Sequence, residues 1–182
     1  MRAYAIAKEK IATCQREKIP YLDLSGLDLE LLPKELATLI WLERLSIAKN
    51  KISSIEILEN LPNIRKLAFS HNYIKDLTPL KNNTKLKFLF MKHNSVEDIS
   101  ILGDIKTLKK IEAHNNSITN IEELSTLSQL VFLDLANNNI SHIEPIQKVT
   151  TLRWLSLKNN PHNLKDIIEI QHSLKHLIYF AY

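Results

Sequence analysis

Glycine and cysteine are nearly missing from this sequence, with two Gly and one Cys among 182 residues. So little glycine excludes a flexible or low-complexity polymer. The single cysteine, Cys14, excludes an internal disulfide framework and fits a reducing compartment. Long apolar runs are missing too: no stretch approaches the roughly 20 residues that a membrane-spanning helix needs. Lys8, Glu9 and Lys10 interrupt the apolar start MRAYAIAKEKIATC, so no secretory signal is expected. The C-terminal LIYFAY carries no sorting or anchoring motif. A cytoplasmic protein without a membrane association is the expectation. The net charge of +4 favours acidic partners only weakly and is far from a nucleic-acid-binding composition.

What is present is a repeat. The segments LERLSIAKNKI, IRKLAFSHNYI, LKFLFMKHNSV, LKKIEAHNNSI, LVFLDLANNNI and LRWLSLKNNPH begin at Leu42, Ile64, Leu86, Leu108, Leu130 and Leu152, at 22-residue steps. Asn50, Asn72, Asn94, Asn116, Asn138 and Asn160 recur at one point of the unit. A leading copy, IPYLDLSGLDL, starts at Ile19 and carries Leu27 where the asparagine belongs. A trailing half copy, LKHLIYFAY, starts at Leu174, and NLKDIIEIQHSLKHLIYFAY predicts a short helix and a final strand rich in Ile178, Tyr179 and Phe180.

This pattern resembles the leucine-rich repeat family, with its LxxLxLxxNxI unit. The second half of the unit, as in TNIEELSTLSQ and SHIEPIQKVTT, is similar to the 22-residue class shared by phosphatase-regulator and bacterial internalin repeats. The resemblance covers residues 19–160. It implies an α/β solenoid shaped as a horseshoe, with a helical cap over 1–18 and a C-terminal cap over 161–182. It also implies a non-catalytic protein-interaction module in one of two settings. One is an intracellular scaffold or regulatory subunit. The other is a bacterial effector or virulence protein, which would act in the host-cell cytoplasm. The bias toward Ile, Lys and Asn is compatible with an AT-rich microbial genome.

Elementary physics leads to the same fold. LDL, LSI and LFM alternate with period two, so each predicts a short strand whose apolar residues face inward. Strands one repeat apart stack in parallel at about 4.8 Å, and about eight would span some ~34 Å. The asparagine amide both donates and accepts, so it can satisfy turn backbone inside each coil. Ile118, Ile121, Leu124 and Leu127 fall three apart, which predicts 3₁₀ or irregular turns on the convex side. Pro79 and Pro145 hold equivalent places there. Asn83 stands where an apolar residue belongs, and an irregular convex layer is expected around it. In the cap, Tyr4, Ala7, Ile11 and Cys14 form one helical stripe, with Cys14 a small core residue.

No catalytic constellation is legible. The sequence has no Gly-rich phosphate loop, HExxH, paired CxxC, GxSxG elbow or aspartate-rich calcium loop. No enzyme activity, cofactor or metal is expected. Binding is expected instead on the outward strand positions, which packing inside the coil does not dictate. One such column reads Tyr21, Arg44, Lys66, Phe88, Lys110, Phe132, Trp154 and His176. The next reads Asp23, Ser46, Ala68, Phe90, Glu112, Asp134, Ser156 and Ile178. Phe88, Phe90, Phe132 and Trp154 concentrate aromatic surface on this face, with Lys66, Lys92, Lys110 and Asp134 among them. His71, His93 and His114 lie along the concave edge. They lack a Cys or placed carboxylate to complete a metal set, and are expected to supply hydrogen bonds and pH-sensitive charge. These eleven residues are the expected partner-binding set.

Arg44, Lys49, Lys66, Lys92, Lys110 and Lys158 outweigh Asp23, Glu112 and Asp134 on this face. A protein or peptide with an acidic surface is the favoured partner. Nucleic acid is disfavoured, because a single arginine and three acids interrupt the basic surface. Two alternatives stay open: the aromatic patch buried in a homo-oligomer, and a C-terminal cap folded over Phe132 and Trp154.

Overall fold

Leucines that recur every 22 residues in a chain with so little glycine are buried by coiling, each repeat stacked on the last. The computed structural model describes residues 2–182. One open parallel sheet of eight strands runs in chain order: β1 (Tyr21–Asp23), β2 (Arg44–Ser46), β3 (Lys66–Ala68), β4 (Phe88–Phe90), β5 (Lys110–Glu112), β6 (Phe132–Asp134), β7 (Trp154–Ser156) and β8 (Tyr179–Ala181). The middle residues Leu45, Leu67, Leu89, Ile111, Leu133 and Leu155 are buried in the core. Register is one to one, with Arg44 beside Lys66 and Lys66 beside Phe88. Residues at one repeat position therefore form straight columns across the sheet.

The convex side carries six 3₁₀ turns, Lys34–Thr38, Glu56–Asn60, Thr78–Asn82, Ser100–Asp104, Glu122–Thr126 and Glu144–Lys148. Ile118, Ile121, Leu124 and Leu127 are all buried, as their three-residue spacing requires. Pro79 and Pro145 sit in the first residues of their turns, where no backbone donor is lost.

The asparagines stitch coil to coil. Asn94 Nδ2 donates to Met91 O in its own coil (3.0 Å) and to Phe69 O in the coil before (3.1 Å), while Oδ1 accepts from Ile74 N (3.0 Å). Asn72, Asn116, Asn138 and Asn160 repeat this set. In the first coil Leu27 stands in the asparagine's place, where no earlier coil remains to be stitched, and its N–H and that of Leu29 donate to Asn50 Oδ1. The residue before each asparagine, from Lys49 to Asn159, takes the left-handed conformation, with φ between 54° and 59°.

Helix α1 (Arg2–Glu17) packs against β1 and the first 3₁₀ turn. It buries Ala7, Ile11 and Cys14, but Tyr4 does not join them: it is 40% exposed, and Ala3 packs on the core in its stead. Asn83 also departs from expectation. The turn before it is regular, because Asn83 N donates to Leu80 O (2.9 Å) like every other turn end, and its buried Nδ2 donates to Leu61 O (2.7 Å).

The last coil holds the expected short helix and final strand, but not in the expected register. Helix α2 (Leu164–Ser173), ten residues long, replaces the five-residue 3₁₀ turn. Its N-cap Asn163 accepts from Asp166 N (3.0 Å). The longer element delays the final strand by three positions, so Tyr179, not His176, stands beside Trp154. His176 and Ile178 lie outside the strand and are exposed. Among the described residues, no helix is long and apolar enough to cross a membrane.

Candidate functional site

The straight columns bring the outward aromatics of β6, β7 and β8 into one ladder. Phe132 stacks on Trp154 with ring centroids 4.0 Å apart and planes at 7°; Trp154 stacks on Tyr179 at 4.7 Å and 8°. Phe132 and Trp154 are half-buried and Tyr179 is exposed. The C-terminal segment thus extends the ladder by a rung and does not cover it. Tyr179 is expected in the final strand, but its place beside Trp154 was out of reach of the sequence, because counting in steps of 22 residues lands on His176.

Lys110 joins the ladder to the next aromatic group. Its Nζ lies 3.9 Å from the Phe132 ring centre and 5.5 Å from that of Phe90, and it pairs with Glu112 at 2.8 Å. Lys66 approaches the other side of Phe90, at 5.2 Å. Cations over ring faces are attracted by the ring quadrupole, so both lysines are held in place; Lys110 is also paired with Glu112, whereas Lys66 makes no ion pair among the described residues. Phe88 stands in the ladder's own column but between Lys66 and Lys110 in register, and is 38% exposed.

The three expected histidines are brought together along the edge of the sheet. His71 stacks on His93 at 4.2 Å and 16°, and His93 meets His114 edge-on at 5.6 Å. His114 Nδ1 is 2.7 Å from Asp134 Oδ2, and Asn115 Nδ2 is 3.3 Å from His93 Nε2. Loss of water on the stacked faces, then the charges of Lys92 and Lys49, push the His71 pKa below the ordinary imidazole value. The same desolvation, followed by His71, His114 and Lys92, lowers that of His93. Among the described residues no group of three or more His, Cys, Asp or Glu is arranged to hold a metal ion. Cys14 is buried, and that burial raises its thiol pKa, which opposes the thiolate form.

A recess of about 750 Å³ opens over β1 to β4, beside the ladder. Ser46 and Ala68 leave its floor low, while Tyr21, Arg44, Lys66 and Phe90 rise around it. Four members of the expected set, Lys66, His71, Phe90 and Lys92, line it. Tyr21, Arg44, Ser46 and Ala68 were not in that set. The signal for Ser46 and Ala68 was two small residues on adjacent strands, between Asp23 and Phe90 in their column.

A stacked coil of 22-residue units with an open parallel sheet and 3₁₀ turns opposite defines a repeat solenoid. The chain is a leucine-rich repeat protein: the family profile "Leucine Rich repeats (2 copies)" matches residues 40–82 and 62–104, and "Leucine Rich Repeat" matches 129–148. No curated protein sequence matches the chain. Among solved structures it is similar to internalin C2 from Listeria monocytogenes, at 23% identity and a TM-score of 0.75, over 98% of this chain and 92% of that one. A leucine-rich repeat protein of Leptospira interrogans is 21% identical with a TM-score of 0.73, over 93% of this chain and 50% of that one. The ectodomain of the Arabidopsis thaliana receptor kinase GASSHO1/SCHENGEN3, solved in complex with Casparian strip integrity factor 2, is 24% identical. It matches with a TM-score of 0.68, over 80% of this chain and 19% of that one. At these identities the likeness is one of fold.

Proposed function

We propose that this protein is a non-catalytic interaction module that captures a protein or peptide partner on its concave sheet. The observation that carries this reading is the ladder of Phe132, Trp154 and Tyr179, with Lys110 and Phe90 continuing it across the strands. Rings stacked face to face present a row of aromatic edges with little side-chain entropy left to lose on binding. Nothing in the coil's own packing calls for them, since the inward leucines already fill the core. The leucine-rich repeat fold generally serves protein–protein interaction, and the Arabidopsis ectodomain is a member of that fold solved with a partner bound. An intracellular scaffold and an exported effector make the same demand on this face, and partner capture from the source cytosol or from host cytosol separates them.

The test is affinity capture from lysate with the wild-type chain and with Phe132→Ala/Trp154→Ala. The variant keeps its far-ultraviolet circular dichroism and loses partner yield. Equal yields from the two proteins would show that the ladder is not the binding surface. A dimer seen by light scattering that becomes monomeric on Phe90→Asp would assign the patch to self-association.

A further inference from the structure

The recess over β1 to β4 differs from the rest of the sheet in one electrostatic respect. Arg44, Lys49, Lys66 and Lys92 line it, and among the described residues none of the four makes an ion pair. Their neighbours do: Lys51 pairs with Asp28, Arg65 with Glu43 and Lys110 with Glu112. Two carboxylates also line the recess, but each is engaged and each stands at an end. Asp23 on β1 accepts from Ser25 N, and Glu112 on β5 holds Lys110. The positive field is therefore confined to the middle coils, where Ser46 and Ala68 leave depth for a guest.

Building on the concave-face reading above, we propose that this recess binds an extended peptide segment of the partner carrying aspartate or glutamate side chains. The segment crosses the strands over Ser46 and Ala68, with its carboxylates between Arg44, Lys66 and Lys92. The spacing suits it. β1 to β5 spans about 19 Å, which about six extended residues cover, and carboxylates at alternate positions recur about every 6.6 Å on one face. Long basic side chains absorb the difference from the strand spacing of about 4.8 Å. A polyanion such as nucleic acid would run beyond the four cations into Asp23 and Glu112, which bracket them. Desolvation is the main cause of the lowered His71 pKa, and the charges of Lys92 and Lys49 at the rim of the recess lower it further.

The probe is a fluorescently labelled hexapeptide of alternating Glu and Ser, compared with its Gln–Ser counterpart by anisotropy. Binding of the Glu peptide is expected to be at least about tenfold tighter than that of the Gln peptide. It should weaken as sodium chloride rises, and weaken by about tenfold or more in Arg44→Gln/Lys66→Gln, whose exposed side chains leave the fold alone. Ala68→Trp, which fills the floor, should abolish it, with circular dichroism confirming the fold. Lys75→Gln, an exposed side chain away from the recess, should leave it within about twofold. Equal binding of the Glu and Gln peptides, or no effect of the Arg44/Lys66 pair, overturns the proposal. Tighter binding of a phosphoserine peptide or of a single-stranded oligonucleotide of equal length also overturns it. Failure of the peptide, with lysate capture still dependent on Phe132 and Trp154, removes this proposal and leaves the concave-face reading standing. Loss of both dependences removes the two together.

Discussion

His71 lies flat on His93, with ring centroids 4.2 Å apart and planes at 16°, and both residues hold left-handed backbones at φ 59° and 54°. Two imidazoles in that arrangement tolerate one proton poorly and two worse, beside Lys92 and Lys49. A histidine whose pKa is lowered by folding binds its proton more readily in the unfolded chain. Stability is then full above the ordinary imidazole range and is lost as pH falls through that range toward the lowered folded values. Thermal melts between about pH 7 and about pH 5 should show Tm falling with acidity. His93→Asn removes one of the two charges and suits the left-handed backbone, so its Tm should fall less over the same range. An equal slope in the two proteins would place the acid sensitivity elsewhere.

The same column contains a lysine whose backbone is easier to improve. Lys49 holds φ at 56°, in the place that Gly26 fills in the first coil and that Asn115, Asn137 and Asn159 fill in later ones. A lysine Cβ crowds the neighbouring carbonyl in this conformation, whereas asparagine enters it at lower cost. Lys49 N donates to Ser70 O (2.8 Å), a bond that substitution keeps. Lys49→Asn should stabilise the protein by about 0.5–1 kcal/mol, read as a higher denaturant midpoint.

Asn94 stands at the centre of the stitching, and its loss cannot be repaired by neighbours. Phe69 O and Met91 O each keep a second amide donor, from Asn72 and Asn116. Ile74 N, in contrast, loses the Oδ1 that it donates to. Asn94→Ala should cost about 2–4 kcal/mol in chemical denaturation, the sum of lost bonds and an orphaned backbone donor. Asn94→Asp restores the acceptor for Ile74 but sets a carboxylate oxygen against Phe69 O and Met91 O. It should not rescue stability.

The fold was legible because Leu89, Met91 and Asn94 recur in kind and in phase, and a periodic pattern fixes strand, turn and column together. The ladder was half legible for the same reason: Phe132 and Trp154 share a column, so their adjacency follows from the period. A final strand holding Tyr179 was legible as well, but not its place beside Trp154, because only the folded α2 shows that the register slips by three. The exposure of Tyr4 is a related miss, since helical periodicity marks a stripe without saying how far the core reaches along it. The recess left the faintest trace. It is made by what Ser46 and Ala68 lack, and a missing side chain has meaning only once its neighbours Arg44, Lys66 and Phe90 are in place around it.

Asn83 tests whether the convex core follows the repeat or tolerates exceptions for a reason. It is buried to 1% exposure, in the place that Leu61 and Ile105 fill in adjoining coils, and its Oδ1 has no hydrogen-bond partner among the described residues. Its Nδ2 donates to Leu61 O at 2.7 Å and reaches Leu58 O at 3.4 Å. Neither carbonyl depends on it: Leu61 O also accepts from Ile64 N, and Leu58 O from Leu61 N. Replacing the amide by an apolar side chain of similar size removes an orphaned acceptor and leaves no new one. Asn83→Leu should therefore stabilise the protein by about 1–3 kcal/mol, seen as a higher urea midpoint at unchanged slope. A lower midpoint would mean that the short bond to Leu61 O contributes more than the buried Oδ1 costs, and that this coil is held by its exception.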